Sequence, residues 1–197
     1  MIAVFDYGAG NLRSVANTLE EIDARYLIVR DAQGLRRASK IVLPGVGHYG
    51  QLLRSLDRMG VRQTLREALQ RGVPYLGICL GLQALFQGSE EAPEAAGLGL
   101  FAEKVARFPL GARVPQMGWN RVERCDRSRL LDGIPDPAYF YFAHSYYVPL
   151  TEATSAKATY SVEYTAVLEN DMLFGVQFHP EKSGELGLRV MKNFAEI

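Results

Sequence analysis

Between Ile2 and Phe86, short apolar runs alternate with stretches of helical period, and this pattern constrains the fold more than any other feature. Ile2-Ala3-Val4-Phe5 reads as a short buried strand, and Tyr26 to Val29, Ile41-Val42-Leu43 and Pro74 to Ile78 read as the second, third and fourth strands. Pro44-Gly45 is expected to stop the third of them. Leu12, Val15, Ala16, Leu19 and Ile22 fall at helical spacing, as do Val61, Leu65, Ala68 and Leu69 before Gly72. Strands and helices that alternate with short connections imply parallel strands joined by right-handed crossovers.

The second half changes character. Phe101 to Phe108, Tyr139 to Val148, Ala156 to Tyr160, Thr165 to Glu169 and Met172 to Phe178 are strand-like, with Asn170-Asp171 as a hairpin turn between the last two. A final helix carries Leu186, Val190, Phe194 and Ile197 on one face, and Gly88 to Gly99 reads as the least structured stretch. The expected architecture is α/β: a doubly wound, mostly parallel sheet with helices on both faces and antiparallel strands appended. A chain of 197 residues without repeat or linker fits a single domain over 1–197.

Composition narrows the function. Twenty-two Lys and Arg balance twenty-two Asp and Glu, which argues against a nucleic-acid platform. No apolar run reaches the roughly 18 residues that span a bilayer. Met1 to Asp6 has no basic segment, so no signal peptide is expected. Two cysteines, Cys79 and Cys125, are too few for a disulfide framework, so the expected setting is a reducing cytoplasm. Gly8-Ala9-Gly10 follows a strand, but the third glycine of a dinucleotide fingerprint would fall at Arg13. Neither a cofactor nor a metal is expected, since paired-Cys and helical His spacings are missing.

The chemistry concentrates at Gly77-Ile78-Cys79-Leu80-Gly81-Leu82-Gln83. A cysteine where a buried strand yields to a helix, with glycines two before and two after, is a strand–nucleophile–helix elbow. A Cβ at either glycine would collide with the neighbouring strand or helix. The helix start favours thiolate and offers backbone N–H groups to an oxyanion. A buried inert thiol is the competing reading for a lone cysteine; the flanking glycines turn the balance. His179-Pro180-Glu181 supplies the base and the carboxylate that would orient it. Gln83, one helical turn after Cys79, lies on the same face and could reach a substrate.

These motifs resemble the class I (triad) glutamine amidotransferases, with Pro44-Gly45-Val46-Gly47 matching that family's oxyanion loop. The resemblance covers essentially the whole chain. It implies that Cys79, His179 and Glu181 hydrolyse glutamine to glutamate and ammonia. It implies oxyanion donors at Leu80 and in Gly45-Val46-Gly47, a loop that reorients when the partner's site fills. It further implies glutamine contacts at Ser145, Tyr146 and, beside Glu90, Glu91.

Three further segments resemble the family's glutaminase subunits of histidine biosynthesis: Asp6 to Ser14, Pro115-Gln116-Met117-Gly118-Trp119-Asn120 and His144-Ser145-Tyr146-Tyr147. That resemblance implies a separate cyclase (β/α)₈-barrel partner in a heterodimer. The barrel takes ammonia through an internal tunnel and joins it to a phosphorylated ribulosyl-imidazole precursor. It places Asn11, Met117, Trp119 and Asn120 at the interface. Trp119, with small and polar neighbours, is expected on a partly exposed loop, and Cys125 is expected to be an incidental thiol. Two alternatives stay open: a glutaminase of anthranilate or pyridoxal phosphate synthesis, and a non-catalytic module on the same fold.

Overall fold

The structure, a computed structural model, describes residues 1–9 and 11–197. Gly10, part of the expected Gly8-Ala9-Gly10 turn, lies outside the described residues.

In the first half, β1 (Ile2–Phe5), β2 (Tyr26–Val29), β3 (Lys40–Gly45) and β4 (Tyr75–Cys79) alternate with α1 (Leu12–Glu21), α2 (Ala32–Arg37), α3 (Tyr49–Arg58) and α4 (Arg62–Gln70). The one-turn α5 (Leu80–Gln83) follows β4 directly, and β5 (Phe86–Ser89) and β6 (Phe101–Arg107) come next. The second half contains β7 (Gln116–Arg124), β8 (Ala138–His144), β9 (Tyr146–Tyr147), β10 (Thr154–Tyr160), β11 (Val162–Asn170) and β12 (Leu173–Val176). A 3₁₀ turn over Pro180–Lys182 leads into α6 (Gly184–Glu196).

Nine strands form one sheet in the order β2-β1-β3-β4-β12-β11-β10-β7-β8. The strands from β2 to β12 are parallel; β11, β10, β7 and β8 add to them antiparallel. β5, β6 and β9 make a small separate sheet. The expected doubly wound architecture with appended antiparallel strands is therefore present.

Alternate residues of one strand serve opposite cores, as the pleat requires. Val42, Leu76 and Ile78 pack with Val15 and Leu19 of α1 and Val190 and Phe194 of α6. Ile41, Leu43 and Tyr75 pack with Leu52, Leu53 and Leu56 of α3 and Leu65 and Leu69 of α4. Most of these side chains are completely buried, and each buried Leu, Val, Ile or Phe contributes about 1.5–3 kcal/mol by transfer from water.

The differences from expectation have local causes. β3 does not stop at Leu43, because Pro44 pairs with Ile78 and Gly45 with Cys79. Pairing with β1 ends at Val42, so the missing N–H of Pro44 disrupts no ladder on that side. The helix after Cys79 ends at Gln83 rather than Phe86: the carbonyls of Ala84 and Leu85 accept from Leu98 and Leu100 instead of from further helical N–H groups. The same bonds pin the segment 88–99, where Ala92 and Leu98 are buried; as expected of a loop, positions 90–99 form no helix or strand. The run Tyr139 to Val148 breaks at Ser145, and Tyr146-Tyr147 pairs with β6. Trp119 lies on a strand, not a loop, opposite Tyr141; its expected exposure is nonetheless present, at 59%.

Candidate active site

β4 carries its last residue, Cys79, into φ 53°, ψ −104°, a conformation that a side chain adopts only under strain of about 1–3 kcal/mol. The neighbours enforce it. An added Cβ on Gly77 would lie 2.4 Å from the Gly81 carbonyl, and one on Gly81 would lie 2.0 Å from the Leu43 oxygen. Strand, elbow and helix are thus in backbone contact, and the thiol is lifted out of the sheet toward a cavity of about 280 Å³. This is near the lower limit of ligand sites, which run from about 300 to 1,000 Å³. Cys79 is only 5% exposed, so the opening to it is narrow.

His179 arrives from the other side, three residues beyond the end of β12. Its N–H donates to the Tyr141 carbonyl at 2.8 Å, and the Ser183 hydroxyl donates to its carbonyl at 2.7 Å. The Tyr141 N–H donates to that same hydroxyl at 3.0 Å, so β8 and the 3₁₀ turn hold the histidine backbone between them. Pro180 opens the turn and brings Glu181 back under the ring, with Oε1 at 2.9 Å from Nδ1. Both side chains are 2% exposed, and Glu181 Oε2 has no partner among the described residues. Cys79 lines the same cavity as His179 and is close enough to bear on the charge of the imidazole, while the hydrogen bond to its sulfur comes from Gln177. Burial by itself would lower the His179 pKa, but the influence of Cys79 and the hydrogen bond and charge of Glu181 outweigh it and raise it to about 10. Sulfur, imidazole and carboxylate therefore converge, and the arrangement favours an imidazolium beside the sulfur.

A class-I glutamine amidotransferase family model matches residues 3–197. The chain belongs to that family. It is 49% identical over 198 residues to the imidazole glycerol phosphate synthase subunit HisH of Methanothermobacter thermautotrophicus, covering all of this chain and 98% of that one. The subunit of the same name from Chlorobaculum tepidum is 42% identical, with full coverage of both. One from Thermus thermophilus is 46% identical over 186 residues, 94% of this chain and 91% of that one. In fold, the chain resembles a crystal structure described as a glutamine amidotransferase (TM-score 0.78, 18% identity, 100% of this chain and 99% of that one). It also resembles the PurLQS structure from Thermotoga maritima (TM-score 0.77, 21% identity, 99% and 97%).

Within this amidotransferase, most residues expected from the sequence line the one cavity: Val46, Gly47, Cys79, Leu80, Gln83, Glu91, Met117, Ser145, Tyr146 and His179. Gly45 sits behind it, paired with Cys79. Glu91 and Glu90 are now distinguished. Glu91 reaches the cavity, its Oε2 accepting from the Tyr49 N–H at 2.7 Å, whereas Glu90 accepts from Arg107 N–H. Gln83 is buried, and its amide hydrogens go to Tyr146 O (2.9 Å) and Gln177 Oε1 (3.1 Å), leaving its Oε1 for a substrate. Val46 faces the cavity, but its N–H is taken by the Tyr7 hydroxyl at 3.1 Å. Asn11 opens α1 and accepts from the Ser14 hydroxyl, away from the cavity. Asn120 alternates to the face opposite Trp119 and donates to Thr159 O at 3.0 Å.

Sequence reasoning gave no role to Gln177, His144 and Lys182. Gln177 is fully buried and donates to Cys79 Sγ at 3.4 Å. A polar residue two before His179 in an apolar strand was the available signal. Lys182, which lines the cavity, stands 5.7 Å from the Tyr141 ring centroid. His144 packs among Phe108, Phe142 and Tyr164. Its Nδ1 lies 2.8 Å from Tyr146 O, and its Nε2 has no partner among the described residues. Burial lowers its pKa from 6.5 to about 4; the Tyr146 bond opposes this and the charge of His179 adds to it. His144 is therefore neutral when folded and takes up a proton on unfolding below its ordinary value. That stability is complete above pH 6.5 and is lost as pH falls toward about 4, by roughly 3 kcal/mol in all. Urea titrations from pH 7 to 4 should show a steeper loss in the parent protein than in His144→Phe; equal slopes would contradict a buried neutral imidazole.

No helix among the described residues is long and apolar enough to cross a membrane. A cleft of about 680 Å³ along the β2 edge is larger than the Cys79 cavity but contains no nucleophile and base together.

Proposed function

We infer that the chain is the glutaminase subunit of an imidazole glycerol phosphate synthase, a single domain over 1–197. The observation that carries this is the meeting of Cys79 and His179 at one cavity, with Glu181 bonded to the far side of the imidazole, in a chain 42–49% identical, end to end, to subunits of that name.

Glutamine enters with its side-chain amide toward Cys79. The thiolate attacks the amide carbon, and the carbonyl oxygen becomes an oxyanion facing the N–H of Leu80 and, once it is freed, that of Val46. The imidazolium of His179 gives its proton to the departing nitrogen, and ammonia leaves a glutamyl thioester. Water then attacks the thioester while His179 removes its proton. The tetrahedral species collapses to glutamate and Cys79 thiolate, with His179 protonated again. Glu181 holds the ring through Nδ1 and balances its charge. Glu91 suits the α-ammonium, and the backbone of Ser145 and Tyr146 suits the carboxylate. No cofactor or metal enters any step.

Ammonia passes to a separate cyclase (β/α)₈ barrel that makes imidazole glycerol phosphate and the aminoimidazole carboxamide ribonucleotide. An exposed patch supports a docking face. Met117, Trp119 and Tyr139 are 66%, 59% and 56% exposed, and the pairing of β7 with β8 puts all three on one side of the sheet. Met117 also lines the cavity, so the patch borders the place where ammonia forms. Large apolar side chains exposed together mark an interaction surface. With both cysteines free, we assign the protein to a reducing cytoplasm.

The test combines the chain with the purified barrel subunit. Trp119 emission should shift to shorter wavelength on mixing, and glutamine hydrolysis, slow in the isolated chain, should accelerate when the barrel's nucleotide substrate is added. A lone chain already at full rate, or an unchanged Trp119 spectrum, would overturn the partner reading.

A further inference from the structure

Tyr7 lies two residues beyond the end of β1 and is held there by its neighbours. Asp6 accepts from the Gly8 N–H at 2.8 Å and from Arg30 at 2.7 Å, closing the turn around it. The Tyr7 ring is 5% exposed and packs with the α3 side of the core. Its hydroxyl makes two bonds to one residue: it accepts from the Val46 N–H at 3.1 Å and donates to the Val46 carbonyl at 3.1 Å. An N–H has one proton. While that proton is directed at Tyr7, it cannot stabilise an oxyanion on the substrate.

The surroundings leave room for a second arrangement. Val46 lines the Cys79 cavity on one side and, together with Tyr7 and His48, a cleft of about 660 Å³ on the other. Gly47 has φ +97°, with no atom within 4 Å of where its Cβ would be. Gly47 therefore gives the loop a residue that can change conformation without displacing a side chain, while Gly45, against Leu80 and paired with Cys79, anchors its other end.

We propose that the Tyr7 hydroxyl is a catch: by gripping both the N–H and the C=O of Val46, it keeps the oxyanion donor turned away from Cys79, and the loop must release both bonds before the thiolate can react efficiently. Tyr7 is a positioning residue in this scheme and touches neither glutamine nor the triad. Burial, the largest influence on the phenol, raises its pKa to about 12, so it keeps the proton it donates throughout the neutral range. The proposal rests on the glutaminase reading above.

The test is Tyr7→Phe in the full chain, with Tyr7→Leu as a second removal of the hydroxyl and thermal melting to verify folding. Loss of two neutral hydrogen bonds should raise kcat of the isolated chain by roughly tenfold, with KM for glutamine unchanged. The rate with the barrel subunit and its nucleotide substrate should stay near that of the parent, so the stimulation ratio falls by the same factor. The Val46 amide, followed by ¹⁵N–¹H spectroscopy, should exchange with solvent faster in the variant; a merely structural tyrosine would not couple these readouts. A folded variant whose lone-chain rate is unchanged or reduced, beside a parent that is still stimulated, refutes the catch alone. A parent that hydrolyses no glutamine even with the barrel and its substrate refutes the glutaminase reading itself.

Discussion

Cys79→Ala should abolish glutamine-dependent synthesis in the complex and leave synthesis from added ammonium salts intact. Removing a nucleophile that acts together with its base costs on the order of 10⁴- to 10⁶-fold in kcat, which puts the residual glutamine-dependent rate below detection. The variant should fold. Cys79 occupies a strained left-handed conformation and its sulfur takes one long hydrogen bond, from Gln177 at 3.4 Å, so truncation removes little packing. The ammonia-dependent reaction is the decisive control, because it bypasses the thioester and needs only an intact docked partner. If both activities fall together, Cys79 is a structural residue and the convergence of His179 and Glu181 on it has another meaning. If both survive, hydrolysis proceeds without a sulfur nucleophile and the covalent scheme fails.

How much of this could be read in the sequence depended on whether the determining contacts were local. The elbow was legible because its requirements are compressed into seven residues: glycines two before and two after Cys79 are needed where backbone meets backbone. His179-Pro180-Glu181 was legible for the same reason, since the 3₁₀ turn needs only Pro180 to begin it. β1, β3 and β4 were legible because burial on both faces makes them continuously apolar; β2 is apolar too, although as the edge strand it leaves Leu27 and Ile28 exposed. β7 was not, because Met117, Trp119 and Arg121 alternate toward solvent while Gly118 sits at φ +134°, and a half-exposed polar strand has no apolar run to announce it. The helices α2 and α3 were passed over too. α2 is six residues long, and α3 is capped by His48, whose ring accepts from the Gly50 N–H, instead of by a recognised Ser, Thr or Asp. The Tyr7–Val46 contact joins residues 39 apart in the chain, and no pattern along the sequence reports a hydroxyl meeting a peptide across that distance.

Gly81→Ala carries the second large expectation, and it concerns the fold and the chemistry together. A Cβ on Gly81 would sit 2.0 Å from the Leu43 carbonyl oxygen, and that oxygen is backbone of β3, locked between β1 and β4. Overpacking against a flexible side chain costs about 1–3 kcal/mol; against a central strand the loss should be at or above the upper end. For a domain of this length each kcal/mol lowers Tm by about 2–4 °C, so melting should fall by roughly 6–12 °C. If the strand does not yield, α5 must move outward and take the Leu80 N–H with it, so glutamine hydrolysis should fall further than the melting temperature alone implies. Gly88→Ala is the matched control, with no atom within 4 Å of its Cβ and an expected change within about 0.5 kcal/mol. Equal stability for the two variants would mean that β3, elbow and α5 are not in the backbone contact that places the sulfur in its cavity. The triad geometry would then lose the support that sets it.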